Sequence, residues 1–353
     1  MKKYLSLALS IVMILSMILL ATSCNNNHVA ENDTTTRTVV DMSGKEIEIP
    51  NTIDRYCVLY ASAINVCAML DENCAHMNGL VKGWMDWTYR IYPELENKAQ
   101  IFDKNNVTAE EIIASGAQVV FWSNSAHESL IEPLANAGIA CVYVPISDIE
   151  SLKQVVTIVA DVFGTDYAKN MANKYITACD EMISNVNSLT TNIAVEEAQS
   201  VLVLRDSSSL TAYGKNHFEG FWATAAHMNY IAGTDDPDGK ANLTLEQICE
   251  WDPDVIIFEI PADLEALQAD PTWSSLSAFK NNKVYNNPSC MNSWAAAGVE
   301  YMLQYEWAIT TFYPEFATEL NMEQDIIKFY NDFFGYNMNE QEVAWILAAQ
   351  MPQ

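Results

Sequence analysis

NVTAEEIIASGAQVVFW, residues 106–122, and NLTLEQICEWDPDVIIF, residues 242–258, follow one plan at an offset of 136 positions. Asn106/Asn242, Thr108/Thr244, Glu110/Glu246, Ile112/Ile248 and Val119/Val255 stay in step. In each copy a Thr is followed three residues later by Glu or Gln, Thr108 with Glu111 and Thr244 with Gln247, the pattern of a capping box that starts a helix. Each copy then ends in a short apolar run of the kind found in a buried strand. Capping uses only the Thr and the third residue, so Glu110 and Glu246 are left over at the second helical position. A carboxylate there gains about 0.3–1 kcal/mol from the helix dipole, which is a sufficient explanation by itself. The alternative is that two lobes related by a pseudo-twofold present matched acidic knobs to a two-fold symmetric partner.

Outward from the repeat, the body begins at TVVDMSGKEIEIP, two alternating runs around Ser43-Gly44 that predict a β-hairpin. YCVLYA, GLVKG, AQVVFW and IACVYV follow, separated by helix-like segments, which is the alternation of an α/β layer. This predicts a first α/β lobe over 38–150. Bridging helices fill 151–194. Within 166–190, Tyr167, Met171, Tyr175, Ala178, Met182, Val186 and Leu189 recur at steps of four and three, which predicts one amphipathic helix about 37 Å long. SVLVL, NYIAG, DVIIFE and KVYNN then supply strands of a second α/β lobe over 195–353, whose last helix is capped by Asn339 with Glu342. The fold class expected is α/β: two lobes bridged by one long helix, with a ligand cleft between them.

The chain has 353 residues, half of them apolar, enough for two ordinary cores. Lys2 and Lys3 precede an apolar run from Tyr4 to Ala21, and the order Leu19-Leu20-Ala21-Thr22-Ser23-Cys24 matches a bacterial lipobox. Residues 1–24 therefore read as a lipoprotein signal with Cys24 acylated, the alternative being a retained membrane span. Residues 25–37, polar and without apolar period, read as a flexible tether. Removing Lys2 and Lys3 takes the formal charge from −28 to −30, so phosphate backbones are repelled and nucleic acid is excluded as a partner. Seven cysteines remain, with no CxxC and no zinc spacing. Cys57 and Cys141 sit in strand-like runs and read as buried thiols, while Cys67 with Cys74 leaves a disulfide open.

Open α/β sheets bind ligands beyond the carboxyl ends of their strands, so the loops there supply the candidate site. The first lobe offers Tyr60, Ser62, Trp84, Trp87, Tyr89, Arg90, Trp122, Asn124 and His127; the second offers Arg205, Tyr213, Lys215, His217 and Trp294. So many rings suit a flat or hydrophobic-rimmed ligand. Trp122 ends a strand and reads equally as core or cleft, whereas Trp84 and Trp87 lack strand alternation and read as cleft. Arg90 and Arg205, two of only four arginines, are either anchors for carboxylates or an oxyanion, or surface ion pairs. His76, His127, His217 and His227 have no ligand spacing, so no resident metal site or cofactor is expected. Toward a bound metal chelate, Tyr60, Tyr213, His127 or His217 is an available axial donor.

The segment from TVVDMSGKEIEIP to SAINVCAML, both repeats, PTWSSLSAFKNNKVYNNP and IIKFYNDFFGYNMNEQEVAWIL together resemble the extracytoplasmic solute-binding proteins of ABC importers for iron–siderophore complexes, haem or cobalamin. The similarity covers nearly all of 38–350 and is specific for the family, not for the ligand. It implies two lobes on a bridging helix, limited closure, a monomer, and a glutamate on each lobe that docks into arginine pockets of a dimeric permease with its ATPase. The matching positions are Glu110 and Glu246. The expectation is a lipid-anchored extracytoplasmic receptor for a metal chelate (ferric siderophore, haem or corrinoid type), with an oxyanion such as molybdate as the alternative ligand. GxxxxGK[ST], GxSxG and HExxH do not occur, which argues against an ATPase or an exported hydrolase. A sensor that kept the fold and lost transport is the remaining rival.

Overall fold

The computed structural model describes residues 36–352, apart from 84, 192, 194–197, 233–238 and 297. Cys24 and residues 25–35 of the tether lie outside the described residues, as does Trp84.

The hairpin forms first: β1 (Thr36–Val40) and β2 (Glu46–Pro50) pair around a turn in which Gly44 has φ +78°. The Asp41 carboxylate accepts from the Ser43 and Lys45 amides at 2.9 and 3.2 Å, an Asx-type closure. The first sheet then contains β3 (Tyr56–Val58), β4 (Met77–Val81), β5 (Gln100–Phe102), β6 (Val119–Trp122) and β7 (Ala140–Tyr143). Their order is β5-β4-β3-β6-β7 and every pair is parallel. The second sheet draws on β8 (Ser200–Leu204), β10 (Asn229–Tyr230), β12 (Val255–Phe258) and β13 (Val284–Asn286), ordered β10-β8-β12-β13 and again parallel. An antiparallel ribbon of β9 (Thr211–Tyr213) and β11 (Lys240–Asn242) stands apart. The sequence patterns find neither this ribbon nor β5.

Both faces of the second sheet are covered, as a parallel sheet requires. Val201, Val203, Val255 and Ile257 face one core, while Leu202, Leu204, Ile256 and Phe258 face another. The first of these cores continues without a break through the helices Ile149–Phe163 and Asp166–Thr190 into the first lobe. Asp166–Thr190 is the bridging helix, 25 residues long, with the Thr165 side chain accepting from Ala168 N at its start. Its buried stripe is Ala168, Ala172, Tyr175, Cys179, Val186 and Thr190, rotated by about one residue from the expected face, with Met171, Ala178, Met182 and Leu189 at its margin. A bridge packed into one continuous core behaves as a stiff strut.

Both repeats fold as their caps dictate. Helix Ala109–Ser115 starts at the Thr108/Glu111 box and helix Leu245–Trp251 at the Thr244/Gln247 box. They end differently: Gly116 takes the left-handed conformation in one, and Asp252 takes it in the other. The cost of a side chain at that φ is offset by the Asp252 carboxylate, which accepts from the Ser277 amide and hydroxyl, both at 2.7 Å. The final helices, Met322–Phe334 and Glu340–Leu347, return to the first lobe, and the Glu340–Leu347 helix carries the Asn339/Glu342 capping box. All seven cysteines among the described residues are free thiols, so Cys67 and Cys74 do not bridge.

Candidate functional site

At the carboxyl end of the first sheet, β3 runs into Tyr60 and then helix Ala61–Leu70. The Tyr60 hydroxyl donates to Ile146 O at 3.4 Å and exchanges hydrogen bonds with Ser62 and Ser123. Burial raises its pKa, against those hydrogen bonds, so it stays a neutral phenol. This mouth is built from hydroxyls.

The second sheet ends in charge. Arg205 follows β8 and Glu259 follows β12, with Arg205 Nη1 3.5 Å from Glu259 Oε1. Tyr213 stacks on His217 with ring centroids 4.3 Å apart and planes 12° from parallel. His217 Nδ1 is hydrogen-bonded to the buried carboxylate of Glu219. Burial works against the imidazolium, but Glu219, with Glu259 behind it, outweighs burial and raises the His217 pKa. Glu259 is itself pushed up to about 7, by burial and by Glu219, while Arg205 and His217 oppose. Gly220 pins the arrangement, because a Cβ there would sit 2.1 Å from the carbonyl oxygen of Lys215. That close approach seats the start of helix Phe218–Ala225 on the loop carrying His217.

The lobes meet at Glu300, which is fully buried. Its carboxyl accepts from Asn65 Nδ2 of the first lobe at 2.9 Å, from Met291 N at 3.2 Å, and from the Tyr330 hydroxyl. Burial pushes it up to about 7 despite these donors. Beside it lies a cavity of about 10 Å³, room for about one water, lined from both lobes by Ala61, Ile64, Gly83 and Met85 and by Met291 and Asn292.

Several expected site residues lie elsewhere. Trp87 is fully buried, its Nε1 donating 3.1 Å to Gln350 O, and is core where cleft was expected. Trp294 is likewise fully buried. His127 is 2 % exposed with Nε2 2.9 Å from Lys104 O, so it offers no axial donor. Arg90 forms the ion-pair alternative: its Nε is 2.9 Å from Glu342 Oε1, and Tyr336 donates to the same oxygen at 2.7 Å. Trp122 lies against Tyr143 with ring centroids 4.8 Å apart and planes tilted by 50° and, with Asn124, lines a separate hollow against the hairpin at Asp41 and Lys45. Tyr89 is half-buried near Glu96, and Lys215 is exposed. Trp84 is not described, although its neighbours Gly83 and Met85 line the interlobe cavity. The structure therefore brings together Tyr60 with Ser62 in one lobe and Arg205, Tyr213 and His217 in the other. Glu219 and Glu300 went unnoticed in the sequence, where nothing marks a carboxylate as buried.

Comparison with known proteins fits this two-lobed geometry. A family model described as periplasmic binding protein matches residues 82–290. The chain belongs to that family. Among its relatives is the molybdate-binding protein MolA of Haemophilus influenzae, 24% identical over 327 residues, which cover 84% of this chain and 91% of that protein. In fold, the chain matches a periplasmic solute-binding protein from Veillonella parvula with a TM-score of 0.76 at 21% identity, covering 89% of this chain and 97% of the other. It matches CeuE of Helicobacter pylori in a nickel–histidine complex with a TM-score of 0.71 at 16% identity, covering 89% and 99%. Like other members of the periplasmic binding protein family, this is a solute-binding component of an ABC transporter. No described helix is long and apolar enough to cross a membrane.

Proposed function

We propose that this periplasmic binding protein captures a small metal chelate of the ferric-siderophore, haem or corrinoid type and delivers it to a dimeric ABC permease. The observation that carries the ligand reading is the His217 imidazole, fixed through Nδ1 by buried Glu219 and stacked on Tyr213, so that Nε2 is the ring nitrogen left for a ligand. A carboxylate behind a histidine is the arrangement that orients a metal-ligating ring and raises its basicity. Arg205 beside it suits the carboxylate or catecholate fringe of a chelate, since its fork matches planar oxygen pairs. The nickel–histidine complex of the CeuE fold relative is in keeping with a chelate. Tyr60 and Ser62 complete the cleft from the first lobe with neutral hydrogen bonds. Anchoring through a lipid on Cys24, action as a monomer, and docking through Glu110 and Glu246, both exposed, belong to the same reading.

A second ligand reading is an oxyanion, which the similarity to MolA and the presence of Arg205 favour. The buried carboxyls Glu219 and Glu259 weigh against it, because they already compensate Arg205 and His217. Titration with a ferric bis-catecholate complex and with molybdate separates the two. The chelate is expected to bind with a shifted visible band that disappears in His217→Ala. Molybdate binding with no chelate binding would overturn the reading.

A further inference from the structure

A further concavity flanks the bridging helix. It is a groove of about 680 Å³ between Asp166–Thr190 and the helices Tyr301–Phe312 and Met322–Phe334, within the range of small-molecule sites. It shares no residue with the strand-end groups of the cleft. Met182, Leu303, Phe329 and Phe333 give it an apolar floor, and Glu306 lies among them.

Glu306 is out of place in such a floor. Its side chain is 2 % exposed and its Oε1 has no hydrogen-bond partner. Its neighbour is the carboxyl of Asp325, whose Oδ2 accepts from Asn321 N at 3.3 Å. Two carboxyls in contact must share a proton, and burial, reinforced by Asp325, pushes Glu306 up to about 9. The lysines of the groove do not answer this need. Lys174 and Lys328 both pair with Asp332, and Lys174 also lies over the Phe333 ring at 5.3 Å. Glu181 at the rim adds further negative charge, with no ion pair engaging it among the described residues. The groove thus combines apolar walls, an excess of carboxylates and a buried acceptor without a donor.

We propose that this groove binds an organic ammonium ion with an apolar body, the ammonium donating to Glu306 and Asp325 and the body resting on Met182, Leu303 and Phe333. The ammonium N–H groups fill the orphaned acceptor, and their charge replaces the proton that the two carboxyls share. One proton leaves for each cation bound, so affinity rises with pH by up to about ten-fold per unit until Glu306 or the amine itself is deprotonated.

The test is calorimetric titration with octylammonium chloride at pH 6, 7 and 8, beside octanol and octanoate. Octylammonium is expected to bind at least about ten-fold tighter than either control, and to tighten as pH rises. Glu306→Gln keeps the shape of the protonated acid and its bond to Asp325, so the protein is expected to fold while losing at least about ten-fold in affinity and the pH slope. Met182→Trp fills the groove from the bridging helix and is expected to block binding with Glu306 intact. Equal binding of octanol, or unchanged affinity in both variants, overturns the proposal.

Discussion

The two lobes share a supersecondary plan and differ in what they place at its end. In the first, β3 and β6 lead to Tyr60, Ser62 and Ser123, neutral hydroxyls of which Tyr60 meets both serines. In the second, β8 and β12 lead to Arg205 and Glu259, with the Tyr213–His217 stack and Glu219 alongside. The repeat that starts each Thr-capped helix, by contrast, is the same in both, down to an exposed glutamate at the second helical position. The lobes are matched in these capped helices, which the proposed function assigns to docking on a symmetric permease, and divergent in the groups at their strand ends. A symmetric docking surface tolerates little variation between its halves, whereas a binding mouth gains specificity from groups of different kind.

The strongest way to break this comparison is at the matched surface. Glu110→Ala with Glu246→Ala is expected to abolish ligand uptake in cells while leaving the Kd of the isolated protein unchanged. Each single variant is expected to lose uptake to a similar degree, and strongly unequal losses would refute the symmetry. At the mouths the effects should be unequal. His217→Ala is expected to weaken chelate binding by about 30- to 100-fold in a fluorescence titration, since second-shell loss alone costs about 10–100-fold. Tyr60→Phe removes one neutral hydrogen bond and is expected to cost about five-fold. The reverse order would place the ligand mainly on the first lobe.

The joint between the lobes sharpens the comparison from the side of stability. Glu300→Ala strands the donors on Asn65, Met291 and Tyr330, and a loss of about 3 kcal/mol or more is expected in thermal unfolding. Because Glu300 is raised to about 7, the folded state holds its proton more tightly than the unfolded chain. Its contribution is present in full below the ordinary carboxylate pKa and is lost as pH rises through about 7. The melting temperature is therefore expected to fall between pH 5 and pH 7.5, and Glu300→Gln, which imitates the protonated acid, should flatten that fall. The smallest effects belong to the caps. Thr108→Ala and Thr244→Ala should each cost about 1 kcal/mol by denaturant unfolding, and a large difference between them would show that the two copies do not carry equal weight.

Local signals were legible because their causes lie within a few residues. The capping boxes at Thr108, Thr244 and Asn339 need only a side chain and the third residue after it, and all three form. The bridging helix needs only its apolar period. The ribbon of β9 and β11 escaped notice because three-residue strands carry too little pattern. The cleft was harder to read. Trp87 and Arg90 look like ligand-facing groups in GWMDWTYR, yet Gln350 and Glu342, some 250 positions later, hydrogen-bond them. His127 is drawn to the Lys104 carbonyl by the packing of its own lobe.

The amino-acid order alone determined two α/β lobes, a strut between them, and a paired acidic position, since periodicity and capping are short-range properties of a chain. Which aromatic rings are core, which carboxylate each arginine meets, and which carboxylates are buried were decided only when distant helices closed over the sheets. Burial and electrostatic environment depend on neighbours brought together from far along the chain, and no local stretch of sequence encodes them.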